Sequence, residues 1–323
     1  MPKVADFKIS IIIPVFNTLP YITRALESCV NQSFTDIGII VVDDCGSDGA
    51  IEIAKEFAQK DKRIKIVQNP RNMGLLYARF AGAKAAINLN QSNTKHYLLF
   101  LDSDDFISHD LCENLANIVS KNEVDMVSFA VFSQNMEGKF SLRHQEKSIL
   151  LNQREYLALT QSVDFCPWHL CSKLIESQVY FKAFESLVGF EDWGLTFAED
   201  ALVYFAMLPS LKNVYINTES SSGYFYCLNL NSATNTKTYK SLERNLRDEA
   251  RVLGFLQQIL KDNKTNYELK RFYSWSFNLL THYHLQHLRT FYRLKYGKFS
   301  LRFILSVCLL YCKKEFVWRF YIF

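Results

Sequence analysis

The chain has 323 residues and a formal net charge of only +4. That length can bury a full α/β core and still carry a second module. Hydrophobic residues at 49% against 22% charged exclude a disordered chain, and without a basic stripe interleaved with aromatics no nucleic-acid partner is expected.

Lys8 to Val15 (Lys-Ile-Ser-Ile-Ile-Ile-Pro-Val) is a β-branched run that predicts a first buried strand, ended by Pro14 because proline cannot donate to a central ladder. From Pro20 to Asn31 the apolar positions Tyr21, Ile22, Ala25, Leu26, Cys29 and Val30 recur at helical spacing. Gly38 to Val42 predicts a second strand, running into the acidic turn Asp43-Asp44-Cys45-Gly46-Ser47-Asp48-Gly49. A helix with Ile51, Ala54, Phe57 and Ala58 on one side follows, capped by Ser47 or Asp48. Arg63 to Gln68 reads as a short strand, Asn69 to Gly74 as a loop, and Leu75 to Leu89 as a helix whose small residues allow close approach to a sheet.

Tyr97 to Ile107 is the stretch that carries the chemistry. Five apolar or aromatic residues run straight into Asp102-Ser103-Asp104-Asp105. The run predicts a strand buried on both faces. Carboxylates packed at its end are costly unless they reach solvent or bind a cation. Asp-Ser-Asp offers hard oxygen ligands of the kind Mg2+ or Mn2+ takes, with positions left for waters and phosphates. The plainer alternative is an acidic turn in which Asp105 or Ser108 caps a helix near Leu111. Strands alternating with helices predict a parallel sheet with right-handed crossovers, and ligands bind beyond the carboxyl ends of such strands. The acids at 43, 44, 102, 104 and 105 all fall there.

Leu111 to Lys121 predicts a helix, Asp125 to Phe132 a strand, and Ser133 to Lys147 a surface hairpin or loop. Glu199 and Asp200 begin an apolar helix of about nine residues, where acids also suit the macrodipole. From Tyr239 onward the pattern is helical, aromatic and increasingly basic. Arg289, Arg293, Lys295, Lys298, Arg302, Lys313, Lys314 and Arg319 face the single acid Glu315. Phe303 to Cys312 is too short to span a bilayer. The composition fits helices lying on an anionic membrane surface, or else a helix docked on the core or a dimer contact.

The eight cysteines form no Cys-x-x-Cys pair, and no apolar leader precedes the first strand, so reduced, mostly buried thiols and a cytoplasmic location are expected. Cys45 reads as a turn position rather than a nucleophile. His282, His284 and His287 read as partly exposed helix histidines with no acid nearby, not as metal ligands.

Taken in order, Ile11-Ile12-Ile13-Pro14-Val15-Phe16-Asn17, Asn31-Gln32-Ser33-Phe34, Ile40 to Asp48, Asn72-Met73-Gly74-Leu75-Leu76-Tyr77-Ala78-Arg79 and Phe100 to Asp105 resemble the inverting, GT-A-fold bacterial glycosyltransferases of family 2. The likeness is strong over residues 8–130. It continues more weakly through Trp168, Lys173-Leu174, Ala198-Glu199-Asp200 and Tyr224-Phe225-Tyr226, and it includes lipooligosaccharide β-1,3-galactosyltransferases. The resemblance implies an α/β, Rossmann-like GT-A catalytic domain over 1–235, with a nucleotide-binding half over 1–110 and an acceptor half over 111–235. A helical C-terminal extension over 236–323 would attach to the inner face of the cytoplasmic membrane.

It further implies a UDP-sugar donor, galactose foremost, a glycan or lipid-linked glycan acceptor, and Mn2+ or Mg2+. Pro14 and Phe16 would line the uridine site, with Asp44 accepting from the uracil imide beside Asp43, and Asp102 facing the ribose. Asp104 would bind the metal, with Asp102 and Asp105 as further partners. Asp200 would be the general base, assisted by Glu199. Trp168 and Lys173 would meet the acceptor or donor sugar, Trp168 otherwise belonging to the core. Where many relatives carry Tyr-x-Tyr-Arg or a histidine, this chain has Tyr224-Phe225-Tyr226-Cys227, so a third metal ligand is unassigned; Lys237, Lys240 and Arg244 are substitutes. A dehydrogenase or nucleotidylyltransferase would need a glycine-rich first turn, which Pro14 to Pro20 lacks. An inactive UDP-sugar-binding subunit is the remaining alternative.

Overall fold

The parity of the first strand explains the layering. In a strand, successive side chains point to opposite faces. In β1 (Phe7–Val15), Phe7, Ile9, Ile11, Ile13 and Val15 join one buried cluster. That cluster also holds Ile22, Ala25, Leu26 and Cys29 of α1 (Ile22–Val30), Ala50, Ile51 and Ala54 of α2 (Ala50–Lys60), and Leu111, Cys112 and Leu115 of α4 (Leu111–Lys121). The even residue Ile12 faces the other way, onto α3 (Leu75–Leu89). There a Cβ on Gly82 would come within 2.5 Å of Ile12 Cγ2 and 2.8 Å of Val42 Cγ2, so only glycine permits the helix to lie so close. An uninterrupted apolar run is therefore what a strand covered on both sides needs.

The computed structural model describes residues 7–89, 94–142, 148–162, 168–217, 221–229, 232, 238–262 and 265–296. The remaining strands are β2 (Ile37–Asp43), β3 (Ile64–Gln68), β4 (Lys95–Phe100), β5 (Phe106–Ile107), β6 (Met126–Phe129), β7 (Val131–Gln134), β8 (Phe140–Leu142), β9 (Ile149–Asn152), β10 (Lys173–Glu176), β11 (Asn213–Asn217) and β12 (Tyr224–Tyr226). The remaining helices are α5 (Gln153–Ser162), α6 (Ser177–Phe184), α7 (Glu199–Met207), α8 (Tyr239–Lys261) and α9 (Tyr267–Tyr296). Two compact units result. The first holds 1–156, 169–194 and 206–229; the second holds 157–168, 195–205 and 230–323.

In the first unit an eight-stranded sheet runs β3-β2-β1-β4-β10-β6-β11-β9, and a four-stranded sheet runs β5-β12-β7-β8. β3, β2, β1 and β4 are mutually parallel, as the alternation predicts. The sheet is mixed beyond them, because β10 inserts antiparallel to both β4 and β6. The strand expected over Asp125 to Phe132 divides at Ala130, β6 joining the large sheet and β7 the small one. At the break a Cβ on Gly223 would sit 2.3 Å from the Ala130 carbonyl oxygen, so the chain before β12 crowds the bend.

Pro14 lies inside β1 rather than ending it. Ile12 faces β4 (Leu101 N–H donates to Ile12 O, 3.0 Å) and Val15 faces β2 (Asp44 N–H to Val15 O, 3.0 Å). Pro14 thus points its missing donor toward β4, past the last pair, Ile12 with Phe100, where no ladder bond is lost. Helix α2 begins after Gly49, with Asp48 Oδ1 accepting the Ala50 N–H at 3.0 Å. Neither Asp105 nor Ser108 caps α4. Asp110 precedes that helix, and Ser108 Oγ pairs with Ser222 instead.

In the second unit α8 and α9 pack as an antiparallel pair, Leu242 and Leu246 meeting Phe291, with a Thr238–Ser241 capping box starting α8. His282 is exposed as expected, but His284 is buried, and an acid does lie beside the histidines. Glu249 takes the Nδ1 atoms of His284 (2.8 Å) and His287 (2.5 Å). The acid comes from a different helix, which local sequence around residue 284 cannot reveal. No described helix is long and apolar enough to cross a membrane. The basic positions beyond 296, Lys237, the cysteines at 166, 308 and 312, and residues 1–6 fall outside the described residues.

Candidate active site

Three parallel strands end side by side, and each hands over to an acid or an aromatic. After Val15, Phe16 stands 43% exposed, and Asn17 follows with a left-handed φ of 55°. Asn17 Oδ1 accepts the Ser47 N–H at 2.8 Å and Asp48 Oδ2 accepts the Leu19 N–H at 2.6 Å, so the loops after β1 and β2 are stitched together.

At the end of β2, Asp43 turns back on its own chain, its Oδ1 accepting the Cys45 N–H at 2.9 Å. Asp44 is buried and organises the loop after β3. Its Oδ1 accepts from Asn69 Nδ2 (2.7 Å) and Met73 N (2.9 Å), and its Oδ2 from Gly74 N (3.0 Å). Burial pushes this carboxyl above the usual range, and the three donors oppose that push. Cys45 is a turn residue with φ 62°, its thiol directed to the Asn69 carbonyl at 3.2 Å and its pKa raised by burial and by Asp43. That geometry supports the turn reading.

Beyond β4 the three aspartates diverge in role. Asp102 Oδ1 pairs with Arg79 Nη2 at 2.6 Å, an arginine rising from the buried face of α3. Asp104 Oδ2 accepts from Asn229 Nδ2 at 2.8 Å, and its backbone carbonyl accepts from Arg24 Nη2 at 2.7 Å. Burial, then the neighbouring Asp102, raises the Asp104 carboxyl. Asp105 is turned inward and is 1% exposed. Tyr224 Oη donates to its Oδ2 (2.6 Å) and the Cys227 N–H to its Oδ1 (2.7 Å), while burial drives its pKa well above the usual range. Asp105 thereby clamps β12 behind Asp104. Arg79, Asn69, Asn229 and Tyr224 are members of this constellation that the sequence reading did not assign. Arg79 had a signal, a charge on a helix face otherwise made of Leu, Ala and Gly. Asn229 had none.

Among the described residues no three His, Cys, Asp or Glu side chains come together as a metal cluster. The donor set nevertheless fits a hard cation of the kind that relies on one or two protein carboxylates plus substrate phosphates. Asp104 is a part-buried carboxylate whose charge Asp102 repels, and a cation would relieve both penalties.

Lys173 is fully buried, its Nζ donating to the His169 carbonyl at 2.6 Å and lying 3.2 Å from Ser172 Oγ. In the second unit, Trp168 meets Phe205 and Tyr283 edge-on at 6.4 and 6.3 Å. Glu199 and Asp200 open α7, Glu199 buried and Asp200 half-buried, directly after Ala198 with φ 59°.

The family model described as "Glycosyl transferase family 2" matches residues 10–173, half of the chain. The chain belongs to glycosyl transferase family 2. An uncharacterized glycosyltransferase of Haemophilus influenzae is 35% identical over 158 residues, covering 49% of this chain; the chain spans 58% of that relative's length. TarS of Staphylococcus aureus, a poly(ribitol-phosphate) beta-N-acetylglucosaminyltransferase, is 27% identical over 241 residues, 73% of this chain and 38% of TarS. A crystal structure of S. aureus TarS with UDP-GlcNAc superposes with a TM-score of 0.63 at 17% identity, over 89% of this chain and 81% of that one. The mannosyltransferase PcManGT of Pyrobaculum calidifontis, solved with GDP-Man and Mn2+, gives 0.53 at 13% identity over 94% and 79%. These likenesses place the fold as GT-A, the class expected from the sequence.

Proposed function

We propose that this family 2 chain transfers a hexose from a UDP-sugar to a hydroxyl of a surface glycan in one inverting displacement. The observation that carries the reading is the placing of acids at the ends of the two strands on either side of β1, Asp43 and Asp44 at the end of β2 and Asp102 and Asp104 after β4, with the exposed ring of Phe16 after β1 between them. Phe16 and Pro14 suit the uridine. Asp44 Oδ2 carries one protein donor and so retains capacity to accept the uracil imide. Asp102 serves the ribose, with Arg79 fixing its carboxylate.

Asp104, with Asp102, would hold a divalent cation, which would supply neutralisation of the charge that develops on the diphosphate. Asp105 supports them from behind. Asp200, assisted by Glu199, takes the proton of the acceptor hydroxyl as that oxygen bonds to the anomeric carbon. The bond from carbon to the diphosphate breaks, and UDP departs with the electron pair. Trp168 and Lys173 serve the sugars, Lys173 through the backbone it binds. The catalytic domain is assigned to 1–235, and Arg289, Arg293 and Lys295 on α9 favour attachment of the C-terminal region to an anionic membrane face on the cytoplasmic side.

Galactose is the donor sugar favoured by the motif resemblance to lipooligosaccharide galactosyltransferases. The second reading is N-acetylglucosamine, favoured by the likeness to TarS. A panel of UDP-sugars assayed for UDP release with a truncated lipooligosaccharide, with and without Mn2+, decides between them. Turnover that persists in EDTA would remove the metal role of Asp104, and full transfer by Asp200→Asn would remove the base. Flotation of the chain with anionic but not neutral liposomes is the outcome expected for the tail.

A further inference from the structure

In the second unit α8 buries two consecutive acids, Glu249 facing histidines of α9 and Asp248 facing the segment before α7. Asp248 is 0% exposed. Its Oδ2 accepts the Thr196 N–H at 3.3 Å, and its Oδ1 lies 3.9 Å from both Arg247 Nε and Arg251 Nη1. Glu249, also buried, takes His284 and His287, and the His287 ring stands edge-on to Phe197 with centroids 5.9 Å apart. Both rings use Nδ1 for hydrogen bonds to the carboxylate, and the three groups do not form a metal cluster.

Burying a carboxylate costs several kcal/mol unless it is well paired. Here two such groups address two adjacent residues, Thr196 directly and Phe197 through His287. The next residue, Ala198, holds φ 59°, a region that residues with a Cβ seldom adopt. Strain of this kind, about 1–3 kcal/mol, persists only where the surroundings hold it, and it gathers at functional sites. Directly after Ala198 come Glu199 and Asp200.

We propose that Asp248 and the Glu249–His287 pair are positioning residues, which hold the turn over residues 196–198 and so aim Asp200 at the acceptor hydroxyl. The catalytic half of this statement rests on Asp200 being the base; the holding half does not.

The test uses the full chain as Asp248→Ala, Asp248→Asn, His287→Ala and Asp200→Asn, with amide hydrogen exchange and initial rates as readouts. Asp248→Ala is expected to speed exchange over residues 196–199 while β1 and β4 keep theirs. Its kcat should fall about 10- to 100-fold with donor KM within about twofold, the size that small misplacements of a catalytic group produce. Asp248→Asn keeps an acceptor oxygen for Thr196 and should recover most of the rate. His287→Ala removes a part-exposed ring and should act in the same direction, so it decides the matter if Asp248→Ala does not fold. Unchanged exchange over 196–199, or full kcat in the loosened variant, overturns the proposal. Full transfer by Asp200→Asn overturns the base and with it the catalytic half, while the exchange data still decide whether these residues hold the turn.

Discussion

Arg79 and Asp102 form a pair of unequal burial: the guanidinium is 2.6 Å from the carboxylate, with the arginine side chain 2% exposed and the aspartate 26%. The arginine projects from the face of α3 that Gly82 lets lie against β1 and β2. It brings positive charge from inside the layer to the edge where Asp102 and Asp104 stand, and Arg24 adds a second guanidinium at the Asp104 carbonyl. The aspartate stays open to solvent and so to a ligand.

Replacing Arg79 by Met should destabilise the fold and weaken donor binding together. Removing one partner of a buried pair costs about 3–5 kcal/mol, and less here because Asp102 can be hydrated, so about 2–3 kcal/mol is expected. Arg79→Lys keeps the charge but loses the planar fork, and it should fall between wild type and Arg79→Met. Urea unfolding and donor KM check this. A midpoint for Arg79→Met equal to that of wild type would mean the pair contributes nothing.

Asp104 sets a pH dependence whose sign follows from its raised pKa. Folding raises this group, so its contribution to stability is present at low pH and is lost as pH rises through the raised value. A bound cation offsets that loss at neutral pH and competes with the proton as pH falls. Mn2+ should therefore stabilise the chain at pH 7.5, by about 2.7 kcal/mol at 100 times its Kd, and the Tm shift should shrink as pH falls through the raised value. Asp104→Asn should abolish the Mn2+ shift. Equal Mn2+ shifts in the variant and wild type would place the cation elsewhere.

Much of this arrangement is legible in the sequence, for identifiable reasons. α3 runs from Leu75 to Leu89 and α4 from Leu111 to Lys121, as the patterns predict, because turn residues and apolar spacing bound them locally. The parallel half follows from alternation alone. β10 is four residues long and pairs antiparallel between two distant strands, so nothing local announces it. At the break at Ala130 the chain meets Gly223, more than 90 residues away. The same holds for chemistry: the acids at 44, 102 and 104 stand in local motifs, while Asn229 beside Asp104 and Glu249 beside His284 come from remote segments.

Gly82→Ala tests how tightly α3 lies on the sheet. Alanine favours a helix by about 1 kcal/mol over glycine. Its Cβ, however, would meet the Cγ2 methyls of Ile12 and Val42, branched side chains in a packed layer with little freedom at χ1. Overpacking of about 1–3 kcal/mol should win, giving a net loss of stability and a displaced Arg79. Urea unfolding of Gly82→Ala decides the sign, and a stabilised variant would show that the layer can open without cost.

Asp44→Asn should loosen the loop that follows β3 and reduce donor affinity at the same time. The carboxylate accepts from Asn69 Nδ2, Met73 N and Gly74 N, and asparagine has a single oxygen for those donors. With that oxygen kept on Asn69 and Met73, the new NH2 faces the Gly74 N–H, donor against donor in a buried site. A loss of about 1–3 kcal/mol is expected from the group left unsatisfied. Asn69→Ala removes one donor and should cost less. In the double variant the two effects should not add, because they share one carboxylate, and a coupling of about 0.5–3 kcal/mol is the expected departure. Strict additivity in the unfolding free energies would show that Asp44 holds Asn69 and the Met73–Gly74 amides independently, and that the loop owes its shape to something else.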